Sequence, residues 1–442
     1  MSIPSSRAIW DIAWPIMLSL AAQSVINITD TAFLGRVGEI ELGASAIGGL
    51  LYTTLFMVGF GFSTGVQILI ARRNGEKNFL AIGRIFDNSF YFLGLTSLII
   101  IWGVYNFGPA LLKPHISSPA VFEASSKFLI YRIFGLFFAS SCLLFRSFYT
   151  GITFTKYLSM SSLLMAGINV ILAYALIFGK WGLPPLGIEG AAIASVISEA
   201  CALIFFIFIT RKNKILSQYS LFQWVKPDLA IIKSTLGISG FVMLQYVLSL
   251  GSWFVFFMFI EKMGERSLAV SNIIRSLYLV LMIPGWAFCS VVSTLVSRFL
   301  GEKRPDLVMP VILKIITFSA ITMGLILAIA ALFPRIIISV FTNDPSLIEA
   351  TVPSYYIILG ALFLFAIMSI LFNGVLGTAN TNFALGIEAI TLFVYLSFAW
   401  LIAVRLQLKI EYVWTSEFIY STLTGLLSLW YLKKGNWRMK II

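Results

Sequence analysis

The sequence predicts an all-α polytopic membrane protein of about twelve transmembrane helices, and three observations carry that prediction. The first is composition: of 442 residues, 59% are hydrophobic and only 11% charged, with a mean hydropathy of +0.95. A soluble chain of this length covers its surface with charge at about a quarter of its residues. The second is the recurrence of apolar runs of roughly twenty residues, the length that crosses the hydrocarbon core as a helix. Lipid offers backbone groups no partners, so spans are helices or closed barrels. Runs such as Phe90–Trp102 and Ile321–Phe333 lack the alternation of barrel strands. The third is an internal repeat, described below.

Apolar runs read against polar breaks place spans near 10–33, 43–70, 84–108, 123–149, 157–178, 187–210, 229–260, 268–297, 308–333, 351–376, 382–404 and 411–432. The first stretch is too long for a cleavable signal peptide and is expected to be the first span. The seventh and eighth exceed what a bilayer needs, so tilting, kinking or projection into water is expected. Pro284 and Gly285 mark a kink in the eighth.

Basic residues give the orientation. They gather after span two (Arg72, Arg73, Lys77), after span six (Arg211, Lys212, Lys214, Lys226), after span eight (Arg298, Lys303, Arg304) and at the C-terminus (Lys433, Lys434, Arg438, Lys440). The intervening loops hold little more than Lys113, Lys180 and Arg335. The positive-inside rule then places both termini in the cytoplasm of a bacterial-type inner membrane. An even span count agrees. The same distribution accounts for the net charge of +12 without nucleic acid, because the charges mark loops and form no continuous face.

Shifted by 226 residues, Gly38–Lys77 lies on Gly264–Lys303 without a gap, with roughly fifteen of about forty positions identical. The ends match best: Gly38-Glu39 on Gly264-Glu265, and Arg72 with Gly75-Glu76-Lys77 on Arg298 with Gly301-Glu302-Lys303. Gly151 falls on Gly377 and Thr155 on Thr381. Two six-helix copies share one orientation and are related by an axis along the membrane normal. The expected organisation is an N-terminal lobe at 1–210, a cytoplasmic linker at 211–226 and a C-terminal lobe at 227–442, with a midplane cavity between the lobes.

Several chemistries are excluded by what is missing. Cys142, Cys201 and Cys289 sit singly in apolar segments and His115 is the only histidine, so no His/Cys metal site is expected. There is no HExxH, GxSxG or phosphate-binding loop, which argues against an enzyme and against a nucleotide-driven pump. No cofactor is expected; an ion gradient supplies the energy.

Four stretches resemble the multidrug and toxic compound extrusion (MATE) family. They are Asp30-Thr-Ala-Phe-Leu-Gly35-Arg-Val-Gly38; Gly151 with Thr155-Lys156 and its partner Gly377 with Thr381-Asn382; Asn169 with Leu176-Ile-Phe-Gly179; and Gly190-Ala-Ala-Ile-Ala-Ser195. The resemblance covers nearly the whole chain, and it rests on order and spacing more than on any single piece. It implies two six-helix lobes in a V and cation-driven antiport of amphiphilic, often cationic, small molecules. An acid in helix one with Gln245, not a carboxylate, in helix seven looks like the DNA-damage-inducible F (DinF) branch, which implies proton coupling. Ala173 departs from relatives that carry an aspartate four residues after the helix-five asparagine. That weakens a sodium site.

Asp30 is the first candidate for cation coupling. Desolvation in a span favours the neutral acid and exposure to water favours the charged one, so alternate exposure couples protons to conformation. Gln23, Asn27 and Asp30 fall at i, i+4 and i+7 on one helix face, which is expected to face protein or water. Asn169 and Tyr174 are candidates to meet that stripe. The blander readings are a helix-end cap for Asp30 and packing glue for Asn169. In the C-terminal half Gln245, Arg275 and Glu388 are candidates for the substrate cavity. A Glu388–Arg275 pair is expected to be structural; an unpaired Glu388 is a proton or substrate-cation site. Glu417, and Glu199 with Arg146 or Arg132, pose the same choice. The 39 phenylalanines, 16 tyrosines, 11 tryptophans and 13 methionines permit an adaptable cavity for organic cations.

Other readings stay open: sodium in place of protons, or a flippase for lipid-linked precursors, which favours a basic cavity. A major-facilitator carrier is disfavoured because the loop after span two reads Ala71-Arg-Arg-Asn-Gly-Glu-Lys77. The chain is expected to work as a monomer in the bilayer.

Overall fold

The computed structural model describes residues 4–223 and 226–438, and among them every regular element is helical. Lys440, counted above in the C-terminal basic cluster, lies outside the described residues, as does the side chain of His115. Contacts divide the chain into two compact units, Trp14–Met243 and Met1–Ala13 with Leu244–Ile442. The division therefore passes through the first helix and through the long helix that follows the linker.

In the Trp14–Met243 unit, α1 (Ser6–Val37), α2 (Glu39–Gly75) and α3 (Phe79–Leu112) are long helices. The fourth span is a pair, α4 (Pro119–Arg132) and α5 (Gly135–Gly151), bent by 49°. Nothing in the sequence announced that bend, for no proline lies at Ile133 or Phe134. Two further helices, α6 (Lys156–Phe178) and α7 (Gly187–Lys212), complete the repeat, and α8 (Leu229–Glu261) begins here. At 37 residues α2 is about 55 Å long against a hydrocarbon core of about 30 Å, so it extends beyond the membrane.

The linker is strapped to α3. The backbone N–H groups of Phe222 and Gln223 each donate to the Asp87 carboxylate at 2.9 Å, and that of Asp228 donates to Asn88 Oδ1 at 2.6 Å. Gly83 lets the segment lie close, since a Cβ there would collide with the Tyr219 and Ser220 carbonyls.

The other unit continues α8 and adds α9 (Glu265–Leu281), α10 (Ile283–Gly301), α11 (Val308–Leu332), the short α12 (Pro334–Ser339), α13 (Pro345–Gly377), α14 (Thr381–Trp400), α15 (Ile410–Trp414) and α16 (Ser416–Lys434). The kink expected at Pro284 is a break at Met282, with Pro284 in the first turn of α10, where its missing N–H costs least. The repeat explains the contrast with α2, which runs unbroken because Val58 stands where α10 has Pro284. A short π-helical turn, Leu401–Arg405, ends α14. The core gathers Phe256, Tyr278, Tyr355, Tyr395 and Trp414.

Among the described residues, ten helices are long and apolar enough to cross a membrane, eleven with the bent pair as one span. Glu417, Lys433 and Lys434 make α16 more polar; with α15 it occupies the predicted twelfth span. The chain is thus an all-α polytopic membrane protein, consistent with twelve spans.

The repeat is legible in the backbone. Lys77 and Lys303 both adopt φ 58°, and Thr153 and Ala379 adopt φ 59° and 61°, each pair 226 residues apart. Before those turns, a Cβ on Gly151 would stand 3.1 Å from the Gln67 carbonyl, and one on Gly377 2.7 Å from that of Ser293, the equivalent position. Glycine is required twice for the same close helix approach.

Candidate functional site

Three helices of the Trp14–Met243 unit build the site. Small residues bring α6 and α7 together: a Cβ on Gly190 would stand 2.7 Å from the Leu176 backbone. Ala173, Leu176, Ala191 and Ala194 fill the seam with Leu34 of α1 and Ala44 of α2. Ala173 is fully buried there, so an aspartate at this position would lie in an apolar seam. Ser19 of α1 and Ser162 of α6 share a hydrogen bond of 2.6 Å, and the Phe33 ring of α1 packs on Tyr174 and Phe178 of α6.

This packing delivers Asp30 to Ser195 and Asn169. Ser195 Oγ donates to Asp30 Oδ2 at 3.4 Å, and Asn169 Nδ2 donates to Ser195 Oγ at 3.2 Å. Asp30 Oδ1 and Asn169 Oδ1 are both buried without a hydrogen-bond partner among the described residues. Asn169 itself has no exposed surface. Asp30 lies seven residues before the end of α1, about 10 Å from it.

One turn along α7 from Ser195, Glu199 binds Arg132 at the end of α4 through two hydrogen bonds of 2.6 and 2.9 Å. The guanidinium lies 3.8 Å over the Tyr52 ring. Gly135 is the residue that admits the pair, since a Cβ there would strike both partners. The choice between Arg146 and Arg132 as partner of Glu199 thus falls to Arg132, and the pair occupies the bend of the fourth span. Arg132 and Glu199 both act electrostatically on Asp30, so the carboxyl sits beside a charge pair that neutralises itself.

Other candidates lie elsewhere. Tyr174 is 41% exposed and packs on aromatic rings, making no hydrogen bond to Asp30 among the described residues. Its ring packs instead on Phe33, Phe178 and Trp181. Gln23 is half-buried and Asn27 exposed; neither side chain bonds to Asp30 among the described residues. Ser195, which does, entered the sequence reading only as the end of a small-residue motif. Its signal was position: small hydroxyls are what a tight helix seam admits.

In the other unit Glu388 of α14 is 1% exposed. It is bonded by Ser249 of α8 and Tyr420 of α16. It makes no ion pair with Arg275 among the described residues. Arg275 is exposed and lies 5.1 Å from the Phe257 ring centroid. Glu417 accepts from Tyr395 at 3.0 Å, and Gln245 is buried. Among the described residues no three His, Cys, Asp or Glu side chains gather as a metal site.

Comparison with known proteins gives the family and the fold. The MatE family profile matches residues 15–175 and 242–401, one copy in each half of the chain. The chain belongs to the MatE family. Among curated relatives, the Probable multidrug resistance protein NorM of Thermotoga maritima is 24% identical over 440 residues, covering 98% of this chain and 93% of that protein. The protein of the same name from Aromatoleum aromaticum is 26% identical over 305 residues. That match covers 66% of this chain and just under two thirds of the relative, 63%. A variant of the Vibrio cholerae MATE transporter VcmN has a solved structure that matches with a TM-score of 0.90 at 17% identity, covering 98% of each chain. The fold is therefore that of MATE transporters.

Proposed function

We propose that this MATE-family chain is a secondary active multidrug efflux transporter that exports small amphiphilic or cationic organic compounds in exchange for protons, by alternating access. Membership of the family and the printed function of the relatives, multidrug resistance, support the transport reading. One observation carries the coupling reading: Asp30 sits in a span with one oxygen accepting from Ser195 and the other buried without a hydrogen-bond partner among the described residues. A charged carboxylate so poorly solvated is costly, and a proton on Oδ1 removes the charge. Opening the cluster to water restores hydration and releases the proton. Alternate exposure to the two sides then moves protons one way as substrate moves the other. The DinF-like branch assignment rests on the same carboxylate and on Gln245 in α8.

The bilayer of a bacterial-type inner membrane, with both termini cytoplasmic, is the setting this reading requires. Each half carries its own polar cluster, which is compatible with a working monomer. Proteoliposomes loaded with a fluorescent organic cation test the function. Export driven by a pH gradient alone supports it. Export driven only by sodium moves the coupling ion, and no export under either gradient favours the lipid-linked flippase.

A further inference from the structure

Glu388 is surrounded by hydroxyls. Ser249 Oγ of α8 stands 2.6 Å from Glu388 Oε1, and the Tyr420 hydroxyl of α16 reaches both oxygens, at 3.0 and 3.2 Å. The same Ser249 hydroxyl stands 3.0 Å from the Gln245 carbonyl oxygen, which can only accept. A serine hydroxyl has one hydrogen. If that hydrogen points at the Gln245 carbonyl, the short Ser249–Glu388 contact needs a hydrogen from Glu388, and the acid is neutral. If it points at Glu388, the carboxylate is charged and holds two donors. The same heavy-atom positions serve both states.

The rest of the environment favours exchange between them. The titratable groups that act on Glu388 are Tyr420 on α16 and Tyr278 on α9, and beyond them Tyr395 on α14 bonds Glu417 and packs on Tyr420. None is a cation, and neither Glu388 nor Glu417 makes an ion pair among the described residues. An intramembrane carboxylate without a counter-cation is costly to keep charged. Gln245, one turn before Ser249 on α8, is buried and its side-chain oxygen has no hydrogen-bond partner among the described residues. The cluster lies just beyond Met243, where the contact division crosses α8.

We propose that Glu388 is a second proton-carrying group, loaded and unloaded during transport, and that Ser249 switches its hydrogen between the carboxyl and the α8 carbonyl as it does so. The chemistry is a single proton: the neutral acid gives H+ to water, and the carboxylate takes it back on the other side. Only the word transport rests on the function proposed above; proton binding at Glu388 stands on the hydrogen-bond geometry.

Infrared difference spectroscopy of the full chain in lipid, titrated with pH, tests it in the Asp30→Asn background, where the first carboxyl is silent. A carboxylic acid band that disappears as pH rises is expected, and it should be absent when Glu388→Gln is added. Tyr420→Phe removes a donor to the carboxylate, so it should tighten proton binding about tenfold and move the midpoint up by about one pH unit, whereas Ser249→Ala removes a bond from both forms, stronger in the charged one, and should move it up by less. Those two variants also decide the matter if Glu388→Gln fails to fold. No titrating acid band in Asp30→Asn, or one that none of these substitutions changes, overturns the proposal. If Asp30→Asn transports normally while the band persists, the Asp30 reading fails and this one survives.

Discussion

Asp30, Ser195 and Asn169 form a chain of two hydrogen bonds that ends on Asp30 Oδ2 and leaves Oδ1 without a partner among the described residues, so each link affects the proton differently. Ser195→Ala removes the donor that the charged carboxylate keeps. The pH profile of transport should move upward, by less than about one unit, because a neutral hydrogen bond is worth ~1 kcal/mol. A profile that moves down would mean that Ser195 serves the neutral acid. The Arg132–Glu199 pair tests stability. Glu199→Ala leaves a largely buried guanidinium unpaired and should cost about 3 kcal/mol, read as a fall in the thermal midpoint in detergent. Replacing both partners, Arg132→Met with Glu199→Leu, should recover most of that loss. Double-mutant values that simply add would show that the pair does not act as a unit. Asp30 and Asn169 were legible in the sequence because polar groups are rare in spans and each has a reason to be there. Ser195 was not, since a serine among alanines reads equally well as packing. Tyr174 misled for the converse reason: its hydroxyl suggested a partner, but its ring is drawn to three other rings.

At the scale of the element, proline and glycine did most to make the fold legible. Pro284 announced the break in the eighth span, and Gly151 with Gly377 marked the repeated turns, where the structure adds paired tight approaches. The bend between α4 and α5 was hidden because no proline marks it; the Arg132–Glu199 pair lies there against Gly135, a tertiary arrangement that leaves no local sequence signal. Gly190 is the contact on which α6 and α7, and hence Asn169 and Ser195, depend. Gly190→Val forces a side chain into the Leu176 backbone and should cost about 1–3 kcal/mol. Loss of the purified, folded fraction or a lowered thermal midpoint checks this. Gly182, with no atom within 4 Å of its Cβ position, lies in a loop, but its φ of 82° makes it a poor control. Gly167, also clear of neighbours and lacking a positive φ, is the better one, and Gly167→Ala should leave the midpoint unchanged. Equal effects at Gly190 and Gly167 would contradict the account of the seam.

For the whole molecule, the span count and the duplication were readable because lipid permits few solutions and because both copies kept their turn residues. The division of contacts through α1 and α8 was not readable, since it follows from where helices pack and leaves no mark on hydropathy. The basic loops predict the orientation, and a single cysteine can check it. With Cys142, Cys201 and Cys289 replaced by alanine, Lys214→Cys in the linker should resist an impermeant maleimide in intact right-side-out cells and react after lysis. Labelling in intact cells would invert the topology. The central claim is that Asp30 carries the coupling proton, and the most direct measurement is proton movement itself. Purified Asp30→Asn should bind a fluorescent organic cation and remain folded, yet release no protons when substrate is added in weakly buffered solution, or markedly fewer than the unaltered chain if Glu388 also discharges. In liposomes it should not export under a pH gradient. Unchanged proton release together with normal gradient-driven export would contradict the account.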